Sequence, residues 1–174
     1  MESFQECRRR AERNLQIAEH MLTVTYPLLK DAKLLLGVTE NIFLGITNSM
    51  SAVVFFERKY KRIPPFHDNF ESKFNTFTAR IVPRYGIDKK YIILLKAIKE
   101  IVLKHKQSPI EFARKGKFVI CDEKYNNVRQ ITDQELRQHL NDAKEFHQIS
   151  KRLVARSESF FTKRKAIREI GKKR

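Results

Sequence analysis

Glycine and proline are scarce, five of each in 174 residues, which speaks against a turn-rich β fold and in favour of helices. Cysteine is scarcer. Cys7 and Cys121 stand far apart with no Cys-x-x-Cys neighbour and no nearby His pair, so a disulfide framework and a zinc-finger spacing drop out and two reduced thiols are expected. The longest purely apolar runs hold four or five residues, as at Ile92 to Leu95, against the ~20 that a bilayer-spanning helix requires. No membrane span is expected. The segment Met1 to Cys7 lacks an apolar core followed by a small-residue cleavage site, so no secretory signal is expected and the cytoplasm is the default compartment. Gly-rich phosphate loops and a Gly-x-Ser-x-Gly elbow are also missing, which removes those enzyme classes.

What the chain does have is helical periodicity and positive charge. Its apolar fraction of 41% is ordinary, and its length suits one domain that buries roughly two-thirds of its unfolded surface. Phe4, Ala11, Leu15, Ala18 and Leu22 share one helical face, with Pro27 as an interruption. Leu28 to Leu36 then predicts a short helix ended by Gly37, and a new one capped near Thr39. The stripe Ile42, Phe43, Ile46, Met50, Val53, Val54 marks the most buried helix, with Gly45, Ser49 and Ala52 offering close approach to a neighbour. Phe70, Phe74, Phe77 and Ile81 form the next stripe, which Asp68 would cap, Pro83 would fray and Gly86 would close. A further helix carries Tyr91, Leu94, Leu95, Ile98, Ile101 and Val102.

Ser108-Pro109-Ile110-Glu111 has the pattern of a short helix start ended by Gly116. Residues 117 to 131 are expected to form a small hairpin from Lys117–Cys121 and Val128–Ile131. Thr132-Asp133-Gln134-Glu135 is a capping box that opens a long last helix through Leu136, Leu140, Ala143, Phe146, Leu153 and Phe160. The predicted fold is therefore all-α, a bundle of about five to six helices over residues 1–150 with one hairpin, followed by a basic helix or tail over residues 151–174.

That last segment holds ten Lys or Arg against two Glu, a net +8 and half of the formal +16 of the whole chain. Few acids compensate it, so a polyanion is the expected counter-charge. Lys151, Arg152, Arg156, Lys163, Arg164, Lys165, Arg168, Lys172, Lys173 and Arg174 are the candidate phosphate contacts. Arg8, Arg9 and Arg10 extend the patch if the first and last helices are neighbours. Phe160 and Phe161 in the tail, with Tyr60 and Tyr85 beside basic residues, are the candidate stacking aromatics. A membrane-surface role is weaker, because residues 151–174 lack a broad apolar stripe.

Arg62-Ile63-Pro64-Pro65-Phe66-His67 sets an Arg and a His in a loop between two helices. Metal-independent RNA cleavage uses such a pair: a His that moves a proton near neutral pH and a fixed cation that stabilises charge at phosphorus. The pair resembles the Arg-x4-6-His motif of the HEPN superfamily, and the helices, the Ser-Pro-Ile-Glu element, the hairpin and the capped last helix resemble an archaeal or bacterial HEPN-type bundle over about residues 8–150. A polar residue commonly follows the Arg in that family, whereas Ile63 and two prolines follow it here. The resemblance implies RNA rather than DNA as the partner, with His67 as general acid or base, Arg62 as phosphate stabiliser and a homodimer building a composite site. It also leaves open a protein-interaction role beside a nucleotidyltransferase or ribonucleoprotein. No cofactor is expected. The spacing His67-Asp68-x-x-Glu71 is too poor in ligands for a metal site, and His139 and His147 read as surface or packing residues.

Overall fold

The computed structural model describes residues 3–108 and 110–171, excepting the side chains of 157, 158 and 160–171. Helix α1 (Phe4–His20) starts on Ser3, whose hydroxyl accepts the Glu6 N–H at 3.2 Å, a cap worth about 1 kcal/mol. A π-helical turn, Met21–Thr25, carries the rod into α2 (Tyr26–Leu29), which ends at Lys30 in the left-handed region. After α3 (Leu34–Lys59) come α4 (Phe70–Thr76), a second π turn (Phe77–Ile81) and α5 (Val82–Tyr85). Helix α6 (Lys90–Gln107) leads into strands β1 (Ile110–Arg114), β2 (Lys117–Cys121) and β3 (Arg129–Ile131). The 39-residue α7 (Asp133–Gly171) closes the fold. Among the described residues no helix is long and apolar enough to cross a membrane.

Each π turn ends two residues before a proline, at Pro27 and at Pro83. Proline has no N–H and its ring collides with the carbonyl four residues back in a regular α-helix. Widening the preceding turn to i→i+5 bonds, as in Tyr26 N–H to Met21 O, removes that collision and lets the rod run on. The expected break at Pro27 and fraying at Pro83 are thus replaced by bulges.

Three other local expectations are corrected. Gly37 lies inside α3, where a Cβ would come within 2.8 Å of Met21 Cε, so it serves close packing rather than a stop. Thr39 is likewise internal and donates its hydroxyl to Leu35 O at 2.8 Å. Asn69, not Asp68, caps α4 by accepting the Ser72 N–H at 2.8 Å, while Asp68 pairs with Lys73.

Helix α3 is the centre, packed by α1, α7, α6 and α4. Its Ile42, Ile46, Met50, Val53 and Val54 are fully buried with Phe77, Tyr91, Leu95, Ile98 and Phe146. Gly45 is the close-approach point: a Cβ there would stand 2.6 Å from Leu15 Cδ2 of α1. A second cluster of Phe4, Cys7, Ala52, Phe55, Phe56 and Val154 holds the N-terminus of α1 to α3 and α7.

The hairpin β2–β3 is present in antiparallel register, Phe118 opposite Ile131, with both side chains in the core. A third strand extends it. The segment expected as a helix after Ser108 is β1, paired with β2 from Ile110 opposite Cys121 to Arg114 opposite Lys117. Lys115 and Gly116 both adopt positive φ, 47° and 73°, the two-residue turn that matches strand twist. The Ser108 hydroxyl bonds the carbonyls of Ile110 and Cys121 instead of capping a helix.

Candidate nucleic-acid interface

Helices α1 and α7 are neighbours, the condition on which the N-terminal arginines were expected to join the basic patch. Glu19 takes Lys144 at 2.6 Å, and the Leu22 carbonyl takes Arg137 at 3.3 Å. Two turns nearer the start of α1, Glu12 takes Lys151 at 3.3 Å. These contacts set Arg8 and Arg9 beside Lys151, and the three cations line a pocket of about 200 Å³ with Gln5 and Glu12. Glu12 is half exposed, so its single carboxylate is shared with water and leaves the pocket positive.

Of the other candidates, Arg10 pairs with Glu6 along α1 at 2.8 Å and lies outside the residues lining this pocket. Arg152 and Arg156 are exposed on α7 just beyond Lys151. Val154 is the last buried residue among the described side chains, and the helix continues to Gly171, about 25 Å further at 1.5 Å per residue. Lys163, Arg164, Lys165 and Arg168 belong to that stretch by backbone; their side chains, with those of Phe160 and Phe161, lie outside the described residues, as do Lys172, Lys173 and Arg174 altogether.

Arg62 and His67 sit in a different environment. Lys61 has φ 57°, and Arg62 N–H bonds Glu57 O at 2.9 Å, the left-handed turn that closes α3. This cap lays the Arg62 side chain back over Glu57, whose carboxylate is fully buried. Glu57 Oε1 accepts from Arg62 Nη1 at 3.0 Å and from Tyr85 Oη at 2.6 Å, and Oε2 accepts from Arg84 Nη1 at 2.6 Å. Arg62 Nη1 also reaches Tyr85 Oη at 3.0 Å, and Arg84 donates to the Arg62 carbonyl at 3.2 Å. Ile63 is buried beneath the loop and Phe66 packs on Phe55, so both flanks of the Pro64-Pro65 corner are anchored. His67 is exposed, and its N–H bonds the Ser72 hydroxyl at 3.1 Å. Glu71, part of the weak metal spacing, pairs with Lys99.

Sequence reasoning missed Glu57 and Ser150, and it named Ser49 as a close-approach residue and His147 as a surface or packing residue without joining them in one polar seam. Ser49 Oγ lies 2.9 Å from His147 Nδ1, and Ser150 donates to the Ser49 carbonyl at 2.8 Å. Burial, with Lys151 and Arg8 close by, lowers the His147 pKa from the ordinary 6.5 against the opposing pull of Glu12. The signal was available: Glu57 stands three and four residues after Val54 and Val53, and His147 follows Ala143 by four, each on a core stripe.

No protein-family model, curated protein or solved structure matches the chain.

Proposed function

We propose that this helical protein binds nucleic acid, RNA in preference to DNA, by seating phosphates along the α1/α7 seam and the basic length of α7. The observation that carries this reading is the pocket where Arg8 and Arg9 meet Lys151 from the far end of the chain. Three cations against one half-exposed carboxylate make a seat that an anion completes. Below it, α7 offers Arg152, Arg156 and the later lysines and arginines at helical spacing, which suits a backbone more than a sequence-reading contact. The HEPN resemblance supports RNA over DNA. Cleavage by Arg62 and His67 is a weaker reading, since the charge of Arg62 is already answered by Glu57.

The test is a salt series with single-stranded RNA in EDTA, read on native and denaturing gels from the same tubes. A phosphate-seating protein shifts intact RNA with log affinity falling linearly in log salt. Arg8→Ala/Arg9→Ala/Lys151→Ala should reduce that slope by about 2, at ~0.7 per contact. RNA cut by the parent and spared by His67→Ala would install the nuclease reading instead. No shift even at low salt, with a protein co-purifying at high salt, would move the function to a protein partner.

A further inference from the structure

The positive surface does not stop at the pocket of Arg8, Arg9 and Lys151. Gln5, which lines that pocket, directly follows Phe4. Phe4 is buried with Phe56 of α3 and Val154 of α7, in the cluster that holds the three helices together. Arg8 shares the Phe4 face of α1 four residues on, about 6 Å along the axis at 1.5 Å per residue. The ammonium of Lys59, in the last turn of α3, lies over the same Phe4 ring, 5.1 Å from its centre. Tyr60 packs on Phe56 with ring centres 4.8 Å apart, which holds the end of α3 on the cluster, and Lys61 follows at φ 57°. Both lysines are exposed.

Neither lysine has spent its charge. At this end of α1 and α3, Glu57 is taken by Arg62 and Arg84, Glu6 by Arg10 and Glu12 by Lys151, and among the described residues Lys59 and Lys61 stand in no ion pair. A ring face and a helix C-terminus attract a cation through a quadrupole and a dipole, which have no net charge. Phe4 and the end of α3 therefore position Lys59 while leaving its full positive charge to an anion.

We propose that Lys59 and Lys61 seat further phosphates of the strand held by Arg8, Arg9 and Lys151, so that a single-stranded RNA crosses the first turns of α1 from α7 to the end of α3. The inference rests on the phosphate-seating reading above and adds to it a path and a second seat on another helix. Lys59 and Arg8 flank Phe4 at steps on the scale of neighbouring phosphates in one strand, and phosphate contacts of this kind fix where a strand lies without reading its sequence.

The experiment is fluorescence anisotropy of the full chain with a labelled uridylate RNA decamer over a salt series. Lys59→Gln/Lys61→Asn removes both charges, and Asn tolerates the left-handed φ of position 61. Lys106→Gln/Lys124→Gln removes the same charge from exposed positions elsewhere; Lys106 adjoins His105, which faces Glu40 near the opposite end of α3. The slope of log affinity against log salt should become shallower by about 1.4 in the first variant, at ~0.7 per contact, and stay at the parent value in the second. Should the first variant misfold, acetylation of the parent replaces it: bound RNA should shield Lys59 and Lys61 and leave Lys106 and Lys124 reactive. An unchanged slope in the first variant, an equal change in both variants, or acetylation of Lys59 and Lys61 indifferent to RNA overturns the crossing path. Phosphate seating at the pocket still stands in those cases if Arg8→Ala/Arg9→Ala/Lys151→Ala lowers the slope. No binding by the parent at low salt overturns both.

Discussion

Two groups of cations in this molecule answer to very different carboxylates. Arg62 and Arg84 converge on Glu57, which is fully buried, whereas Arg8, Arg9 and Lys151 surround Glu12, which is half exposed. In the first group, positive charge is used to make a buried anion tolerable, because an ion taken from water needs close partners on its remaining lone pairs. In the second, the carboxylate keeps its water and its pair with Lys151 is of the exposed kind, worth about 0.2–1 kcal/mol. A Lys or Arg count alone cannot tell these cases apart. Burial of the counter-charge decides which cations hold the fold together and which can meet a phosphate.

The largest effect should come from the Glu57 corner. Arg62→Met/Arg84→Met strands a buried carboxylate and should cost about 3–5 kcal/mol in urea unfolding, while Arg62→Met alone should leave RNA affinity within about twofold of the parent on the reasoning of a cation already spent. A loss of under about 1 kcal/mol in the double variant would mean that Glu57 does not organise this corner. At the seam the pattern should invert. Arg8→Ala/Arg9→Ala/Lys151→Ala should unfold within about 1 kcal/mol of the parent yet bind RNA at least about tenfold more weakly at low salt. Equal losses of stability and binding in this variant would erase the distinction between the two groups.

The seam depends on how closely α1 lies on α3, and Gly45 sets that distance. Gly45→Ala drives a methyl into Leu15 and should cost about 1–3 kcal/mol by overpacking, with Leu15→Ala in the same chain relieving the clash. Thermal melts of the parent and the two variants check this; an unchanged melt for Gly45→Ala would show that α1 can move away freely.

Most of the helical architecture was legible because burial follows period. The α3 stripe from Ile42 to Val54, the Thr132 to Glu135 start of α7 and the Gly86 stop all operate through neighbours in sequence. The misreadings arose where a local signal lost to a distant contact. Gly37 resembles a stop until Met21 is seen to need its space, and Ser108-Pro109 resembles a cap until β2 claims the following residues. The meeting of Arg8 and Arg9 with Lys151 was legible only as a condition, since it arises through helix packing. The burial of Glu57 follows from its place after Val53 and Val54, but its partners were hidden for the same reason: they come from positions 62, 84 and 85, and no spacing rule joins them.

The smallest effect links the seam to pH. His147 and His139 both have pKa values lowered by burial from the ordinary 6.5, His147 further by Lys151 and Arg8, and His139 by Arg129. Glu12 opposes the shift at His147, and Glu135 and Asp142 oppose it at His139. The folded protein therefore prefers both rings neutral. Well above pH 6.5 neither state binds a proton there and these groups leave stability flat. As pH falls below 6.5 the unfolded chain takes up protons first, so stability drops until the folded-state pKa is passed. Melting temperature should fall between pH 7 and pH 5, and less steeply in His139→Phe/His147→Phe. The seam variant sharpens this, since removing Arg8 and Lys151 leaves burial as the remaining influence against Glu12 at His147. Its titration, followed by NMR of the ring protons, should move upward toward 6.5 in that variant while His139 stays where it was. Movement of both rings together would mean that the Lys151 seam and the start of α7 share one electrostatic environment, and the contrast drawn from Glu12 and Glu57 would lose its local basis.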